Sequence, residues 1–234
     1  MIPRKIHYCW FGKEKKNRLF YKCLKTWKKF FPNFEIIEWN EDNFDINSSE
    51  FTRKAYEMKK YAFVSDYARL KILYENGGIY FDTDVEVLKK IPDSILENGY
   101  FAKENEFQIA TGLGFAVKPY NRILKLMIDD YDSYDFNSMD PCPIFNTNTL
   151  LKNNIDPSKI DEIDGIKIFD KEYFCGYDLD NNHYEITNNT YTVHHYDSSW
   201  KSKKERTICK VKKIISRIIG AKNYEKIRKF KKLK

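Results

Sequence analysis

The stretch Gly77-Gly78-Ile79-Tyr80-Phe81-Asp82-Thr83-Asp84 constrains the fold more than any other part of the chain. It follows the clearest helical pattern in the sequence, residues 62–76, in which Val64, Ala68, Ile72 and Leu73 share one face of a 3.6-residue period. The paired glycines stop that helix, because glycine takes positive φ without strain. Ile79-Tyr80-Phe81 then reads as a buried strand that runs straight into two carboxylates. Helix, glycine stop and strand are parts of an α/β sheet, and open sheets of this kind bind ligands at the carboxyl ends of their strands.

The start of the chain agrees. Ile6-His7-Tyr8-Cys9-Trp10-Phe11 reads as a first strand, and Leu19, Cys23, Trp27 and Phe30 mark one face of a helix that Pro32-Asn33 ends. Phe34-Glu35-Ile36-Ile37-Glu38-Trp39 reads as a second strand. Further strands are expected at 85–88, 100–102, 112–117, 166–169 and 191–195, with helices at 51–61, 122–128 and 145–151. The expected organisation is one α/β domain over residues 1–200 with an appended tail over 201–234.

An Asp-x-Asp triplet is by itself a weak signal, and three occur here: Asp82/Asp84, Asp130/Asp132 and Asp178/Asp180. Asp130/Asp132 reads as a solvated turn. The last resembles the start of a calcium loop but has His183 where glycine is needed and Asn189 where glutamate is needed. Only Asp82/Asp84 follows a buried strand, so that both carboxylates converge above a sheet edge. Like charges there are costly without a cation, and a hard divalent ion bridging carboxylate and diphosphate oxygens would compensate them. Asp66 and Arg69, three residues apart on the preceding helix, read either as an intrahelical ion pair or as a polar cluster for sugar hydroxyls and phosphate. Near the far end, Tyr191-Thr192-Val193 leads into His194-His195-Tyr196-Asp197. A late imidazole joining early carboxylates would close a metal site, and His194, His195 and Asp197 are all candidates. Residues 105–113 and 141–148 are expected as loops beside the site, with Gly112 and Gly114 either permitting close approach to the sugar or, as the favoured reading, relieving crowding in a strand.

Charge separates the tail from the body. The +7 net charge is the sum of about −6 over residues 1–200 and about +13 over residues 201–234. The acidic body argues against a nucleic-acid binder. In the tail, Ile208, Val211, Ile214, Ile215, Ile218 and Ile219 recur at helical spacing among lysines and arginines, and Tyr224, Ile227 and Phe230 continue the stripe. A basic amphipathic helix of this kind is expected to lie on an anionic membrane surface. No run approaches the ~20 apolar residues of a membrane span, and the N-terminal apolar stretch is too short for a signal peptide. Five scattered cysteines without Cys-x-x-Cys spacing point to a reducing compartment. The expected location is cytoplasmic, peripheral at the inner face of the cell membrane.

The blocks Ile6-His7-Tyr8-Cys9-Trp10-Phe11-Gly12, Ser65-Asp66-Tyr67-Ala68-Arg69 and Gly77 through Asp84, in this order, resemble glycosyltransferase family 32, with a weaker return at His194 through Trp200. These are DXD-motif sugar transferases of bacterial capsular and surface-polysaccharide synthesis. The resemblance implies a GT-A-type, Rossmann-like nucleotide-binding domain, a nucleotide-sugar donor, Mn²⁺ or Mg²⁺, and retention of anomeric configuration. Carried over by position, Trp10 stacks on the donor base, Asp66 and Arg69 hold the donor sugar, and Tyr80 and Asp82 line its ribose and sugar side. Asp84 is the direct metal ligand, His195 and Ser198 complete the metal and diphosphate shell, and Trp200 closes over it. The implied reaction is hexosyl transfer, by a metal-dependent hexosyltransferase, from a UDP-sugar to a saccharide acceptor. The tail makes a lipid-linked acceptor the fitting one. A GDP-mannose donor is the alternative. A nucleotidyltransferase would need a glycine-rich phosphate loop where Gly12 is followed by Lys13-Glu14-Lys15-Lys16-Asn17.

Overall fold

A computed structural model describes residues 1–133, 140–178, 181–197 and 203–220. The first strand β1 (Lys5–Cys9), helix α1 (Arg18–Phe30) and strand β2 (Glu35–Trp39) form a parallel βαβ unit, with Ile6 beside Ile36 and Cys9 beside Trp39. Asn17 caps α1 by accepting from Phe20 N–H. The buried face of α1 is Phe20, Cys23 and Trp27. Helices α2 (Glu50–Glu57) and α3 (Tyr61–Asn76) follow, and α3 ends where Gly77 N–H donates to Leu73 O at 2.8 Å. Gly77 and Gly78 have φ of 62° and 102°, and a Cβ on Gly78 would lie 2.7 Å from Lys5 O. The glycine pair therefore lets the chain both leave the helix and pair against β1.

Strand β3 (Gly78–Tyr80) lies parallel to β1, and β4 (Val85–Val87) follows the Asp82-Thr83-Asp84 turn. Then come α4 (Asp93–Leu96), β5 (Tyr100–Ala102), a 3-10 turn at Thr111–Leu113, β6 (Phe115–Val117), α5 (Arg122–Asp132) and α6 (Cys142–Lys152). The chain continues through β7 (Glu162–Ile163), β8 (Ile166–Phe169), α7 (Lys171–Phe174), β9 (Tyr177–Asp178), β10 (His183–Tyr184), β11 (Thr192–His194) and α8 (Lys203–Ile219). The main sheet has seven strands in the order β2-β1-β3-β6-β5-β8-β7. Strand β6 runs antiparallel to both neighbours, so the sheet is mixed. The chain moves from β1 outward to β2 and later back to β3 on the other side, which makes the ends of β1 and β3 the switch point where such sheets bind ligands.

Each face of the sheet carries its own apolar core. Along β3 the side chains alternate: Tyr80 packs with Val64, Ala68 and Phe115, whereas Ile79 and Phe81 pack with Phe20 and Trp27. Trp27 also donates its indole N–H to Val85 O at 2.8 Å, which anchors β4 beneath α1. In the described part of the tail, Ser216 is buried and donates to Asn181 O. Ile208, Val211, Ile214, Ile215 and Ile218 are exposed. Tyr224, Ile227 and Phe230 lie outside the described residues, and among the described residues no helix is long and apolar enough to cross a membrane.

His7 shows how tightly this sheet is set. Its fully buried ring lies 3.1 Å from Gly77 O through Nε2 and accepts from the Trp39 indole N–H at Nδ1, 3.0 Å away. Neutral imidazole with its proton on Nε2 satisfies both partners. Burial pushes its pKa down to about 4 from 6.5, with the Gly77 bond opposing the shift. The depressed value means that the His7 contribution is complete above pH 6.5 and is lost as pH falls toward 4, when the unfolded chain takes up a proton and the fold does not. Urea unfolding at pH 7 and 4.5 should show about 2–3 kcal/mol more loss in wild type than in His7→Phe. Parallel pH profiles for the two proteins would refute this reading of the ring.

Candidate active site

The Asp82-Thr83-Asp84 turn lies at the switch point. Asp82 follows Tyr80 by two residues and stays on its side of the sheet, where the Tyr80 hydroxyl donates to Asp82 Oδ1 at 2.9 Å. Pairing of β11 with β4 places His194 opposite Val85 and brings its Nε2 within 2.9 Å of Asp84 Oδ1. Asp197 N–H donates to the other Asp84 oxygen at 2.8 Å. One ligand atom each from Asp82, Asp84 and His194 lies within 4.8 Å of the others. Burial works against charge on Asp84, but His194 outweighs it and holds the carboxyl near a pKa of about 2. Burial likewise disfavours His194 as a cation, yet Asp84 and Asp82 raise its pKa. Its Nδ1 is buried without a hydrogen-bond partner among the described residues. Two carboxylates and an imidazole are a donor set that suits Mn²⁺ or Mg²⁺.

Of the two adjacent histidines, the structure brings His194 and not His195 to the carboxylates. His195 lies between Glu86, 2.8 Å from Nε2, and the Tyr184 hydroxyl, 2.7 Å from Nδ1. Glu86 is also paired with Lys22 at 2.6 Å. Consecutive residues leave an extended chain on opposite sides, so one imidazole excludes the other from the cluster. The expected position of His195 beside the carboxylates is thus taken by His194, which the sequence also offered as a candidate. Ser198 and Trp200 lie outside the described residues.

Behind the carboxylates, Arg69 is buried between Asp66 and Asp82, each 2.9 Å from a guanidinium nitrogen. The guanidinium also lies 5.0 Å from the centre of the Tyr80 ring. Asp66 and Arg69 thus form both the intrahelical pair and a polar cluster continuous with Asp82. Burial pushes the Asp66 pKa up to about 6 against the pull of Arg69, and it raises Asp82 in the same way. A second layer comes from the segments expected beside the site, 105–113 and 141–148, although the latter is the start of α6 (Cys142–Lys152) rather than a loop. Cys142 Sγ accepts from Arg69 Nη1 at 3.4 Å and lies 3.1 Å from the Thr111 hydroxyl, while Asn146 Nδ2 donates to Thr111 at 2.9 Å. Arg69 Nε and Asn146 Oδ1 are buried without a hydrogen-bond partner among the described residues, which leaves a donor and an acceptor beside the site. A Cβ on Gly112 would lie 2.6 Å from Asp82 Oδ2, so this glycine permits close approach to the site; Gly114, at φ 104°, relieves crowding against Phe81. The cysteine thiols nearby are inert: burial pushes Cys9 and Cys142 each up to about 12.

Trp10 stands at the end of β1, its indole N–H donating to Glu14 O at 2.8 Å. With Lys13, Lys16, Glu38 and Asn40 it lines a cleft of about 480 Å³ at the ends of β1 and β2. None of the DXD carboxylates lines that cleft, so base-side and metal-side features are adjacent regions of one sheet edge rather than one cavity. A second acidic and histidine group, Asp178, His183 and Glu185, also comes together, but Glu185 is paired with Lys171 at 2.9 Å.

A family model described as "Glycosyltransferase sugar-binding region containing DXD motif" matches residues 17–102. An uncharacterised glycosyltransferase of Acanthamoeba polyphaga mimivirus is 29% identical over 181 residues, covering 72% of this chain and 63% of that protein. The "Subversion of eukaryotic traffic protein A" of Legionella pneumophila is 28% identical over 123 residues, covering 40% of this chain and 19% of that protein. The chain therefore spans less than two thirds of the length of these curated relatives. Among solved structures, a glycosyltransferase involved in the glycosylation of the major capsid of PBCV-1 superposes with a TM-score of 0.50 at 15% identity, over 88% of this chain and 98% of that one. That likeness is one of fold, the GT-A arrangement.

Proposed function

We propose, from the match of residues 17–102 to the sugar-binding region of DXD glycosyltransferases, that the chain transfers a hexosyl unit from a nucleotide sugar to an acceptor hydroxyl. The observation that carries this reading is the convergence of Asp82, Asp84 and His194 at the sheet's switch point, with Asp82 shared with the Asp66–Arg69–Asp82 ion-pair network. Asp84 and His194 would hold a divalent cation, with Asp82 beside them. When bound, Mn²⁺ or Mg²⁺ neutralises charge on the departing diphosphate. Asp66 and Asp82, held by Arg69, accept hydrogen bonds from the donor sugar, and Arg69 adds fixed positive charge beneath it. Trp10 offers a flat ring on which the base can stack beside the cleft, and the donor in this reading is a UDP-sugar.

Retention of configuration is part of the proposal. Asp82 Oδ1 is held by Arg69 and Tyr80 and the nearby thiols stay protonated, so among the described residues no side chain beside Asp82 stands out as a covalent nucleophile. Attack on the same face, with the leaving phosphate oxygen taking the acceptor proton, needs none. The test is slow hydrolysis of UDP- and GDP-sugars in the presence of Mn²⁺. Consumption of at least one donor is expected, and a protein that neither binds nor hydrolyses any of them is not this enzyme.

The exposed apolar stripe of α8 supports a place on an anionic membrane, and with it a lipid-linked saccharide acceptor of the kind used in surface-polysaccharide assembly. Each basic residue near such a surface contributes about 1 kcal/mol, and the apolar side chains add burial in the headgroup region. Sedimentation with phosphatidylglycerol vesicles should fall at least tenfold in Ile214→Ser/Ile218→Ser and at high salt. Equal sedimentation of variant and wild type would remove the membrane from this account.

A further inference from the structure

The donor features occupy the ends of β1, β2 and β3, which leaves the β5 side of the sheet edge for the second substrate. There the chain makes a tight loop over residues 104–108. Lys103 bridges to Ile109, Glu104 N–H donates to Gln108 O at 2.9 Å, and Asn105 accepts from Phe107 N–H and donates to Gln108, at 2.9 and 2.8 Å. The loop is therefore fixed by its own hydrogen bonds. Its outgoing strand runs through Ala110 into the Thr111–Leu113 turn, whose Gly112 abuts Asp82.

Two side chains of this loop have the chemistry of carbohydrate recognition. Glu104 is partly exposed, and its Oε1 accepts from the Tyr196 hydroxyl at 2.7 Å. The Tyr196 ring in turn lies 4.0 Å from that of His194, which places the Glu104 carboxylate beside the metal cluster but outside its ligand set. Phe107 is 65% exposed, so its ring is open to a ligand on a loop that its own hydrogen bonds hold in place. An aromatic face packs against the C–H face of a sugar ring, and a carboxylate accepts from its hydroxyls. In the proposed reading Asp66 and Asp82 serve the donor side, which leaves Glu104 and Phe107 to the acceptor.

We propose that residues 104–108 form the acceptor site, in which Phe107 stacks on an acceptor sugar and Glu104 positions a hydroxyl of that sugar toward the donor. The inference rests on the glycosyl-transfer reading above and deepens it: the acceptor's terminal unit is a saccharide, and it enters from the β5 side. Glu104 acts as a positioning residue, without taking part in bond making.

The test uses the full chain, Mn²⁺, the donor that wild type hydrolyses, and octyl glycosides of glucose, galactose and mannose as acceptor probes. The readout is the ratio of transfer to hydrolysis, with KM resolved for donor and acceptor. Phe107→Ala should lower that ratio about tenfold through acceptor KM, and Phe107→Trp should restore it. Glu104→Gln should lower it on the order of tenfold through the rate of transfer. Phe107 is exposed, so its variants keep the test valid even where Glu104→Gln disturbs Tyr196. A ratio equal to wild type in both variants overturns the proposal, as does a rise in donor KM instead of acceptor KM, which would assign the loop to the donor. Transfer to none of the probes by an enzyme that hydrolyses donor overturns the saccharide assignment. Absence of any donor hydrolysis in wild type is a separate result, and it defeats the underlying glycosyl-transfer reading.

Discussion

Arg69→Met is expected to lose about 3–5 kcal/mol of stability and to lose donor turnover even where it remains folded. The guanidinium is 4% exposed and is the counter-charge for both Asp66 and Asp82. Removing it leaves two largely buried carboxylates without their counter-charge, which pushes both toward their protonated forms. Arg69→Lys should recover only part of the loss, because one ammonium cannot reproduce a planar fork spanning two acceptors. The triple change Arg69→Met/Asp66→Asn/Asp82→Asn separates structure from chemistry. It removes the orphaned charges and should regain most of the stability, while donor hydrolysis stays on the order of 10³-fold below wild type. Urea unfolding and donor hydrolysis on the same preparations check both parts. A wild-type unfolding midpoint for Arg69→Met would show that the ion pairs contribute nothing to the fold.

The fold was legible in sequence wherever a pattern was local. The period of α1, the glycine stop after α3 and the apolar run of β3 each reflect burial of one face by neighbouring residues, and each stands within a residue or two of its expected place. Two readings shifted. Leu19 is only half-buried, and Phe20, one residue on, takes the core position of α1. The strand expected at 112–117 begins with a 3-10 turn, because Gly112 must pass close to Asp82. The Asp82/Asp84 pair was visible because a buried strand ran into it. The segments of Thr111, Cys142 and Asn146 were expected beside the site, but their contacts with Arg69 and one another were not legible, since nothing local distinguishes polar residues buried against a distant arginine from those of a solvated helix. The two histidines show the same limit. Which of them faces the carboxylates is set by the register of β11 on β4, more than a hundred residues away in sequence, and a histidine pair looks alike from either side. The isoleucine stripe of the tail was legible because a helix carries its own period.

The central claim is that the sheet's switch point holds a divalent ion against a nucleotide sugar through Asp84 and His194. Its most direct measurement is donor hydrolysis against Mn²⁺ concentration in wild type, Asp84→Ala, His194→Gln and His195→Gln, with chelator-treated protein as the baseline. Wild type should be inactive after chelation and restored by Mn²⁺. Asp84→Ala should fall on the order of 10³-fold at every Mn²⁺ concentration. His194→Gln should need at least about 10²-fold more Mn²⁺, since even groups one layer further out cost 10–100-fold. Wild type should also need more Mn²⁺ as pH falls, because the raised pKa of His194 makes protons compete for the same ring. His195→Gln, whose ring pairs with Glu86 and Tyr184, should keep the wild-type Mn²⁺ requirement. Metal-independent hydrolysis, or Asp84→Ala and wild type with the same response to Mn²⁺, would contradict the account.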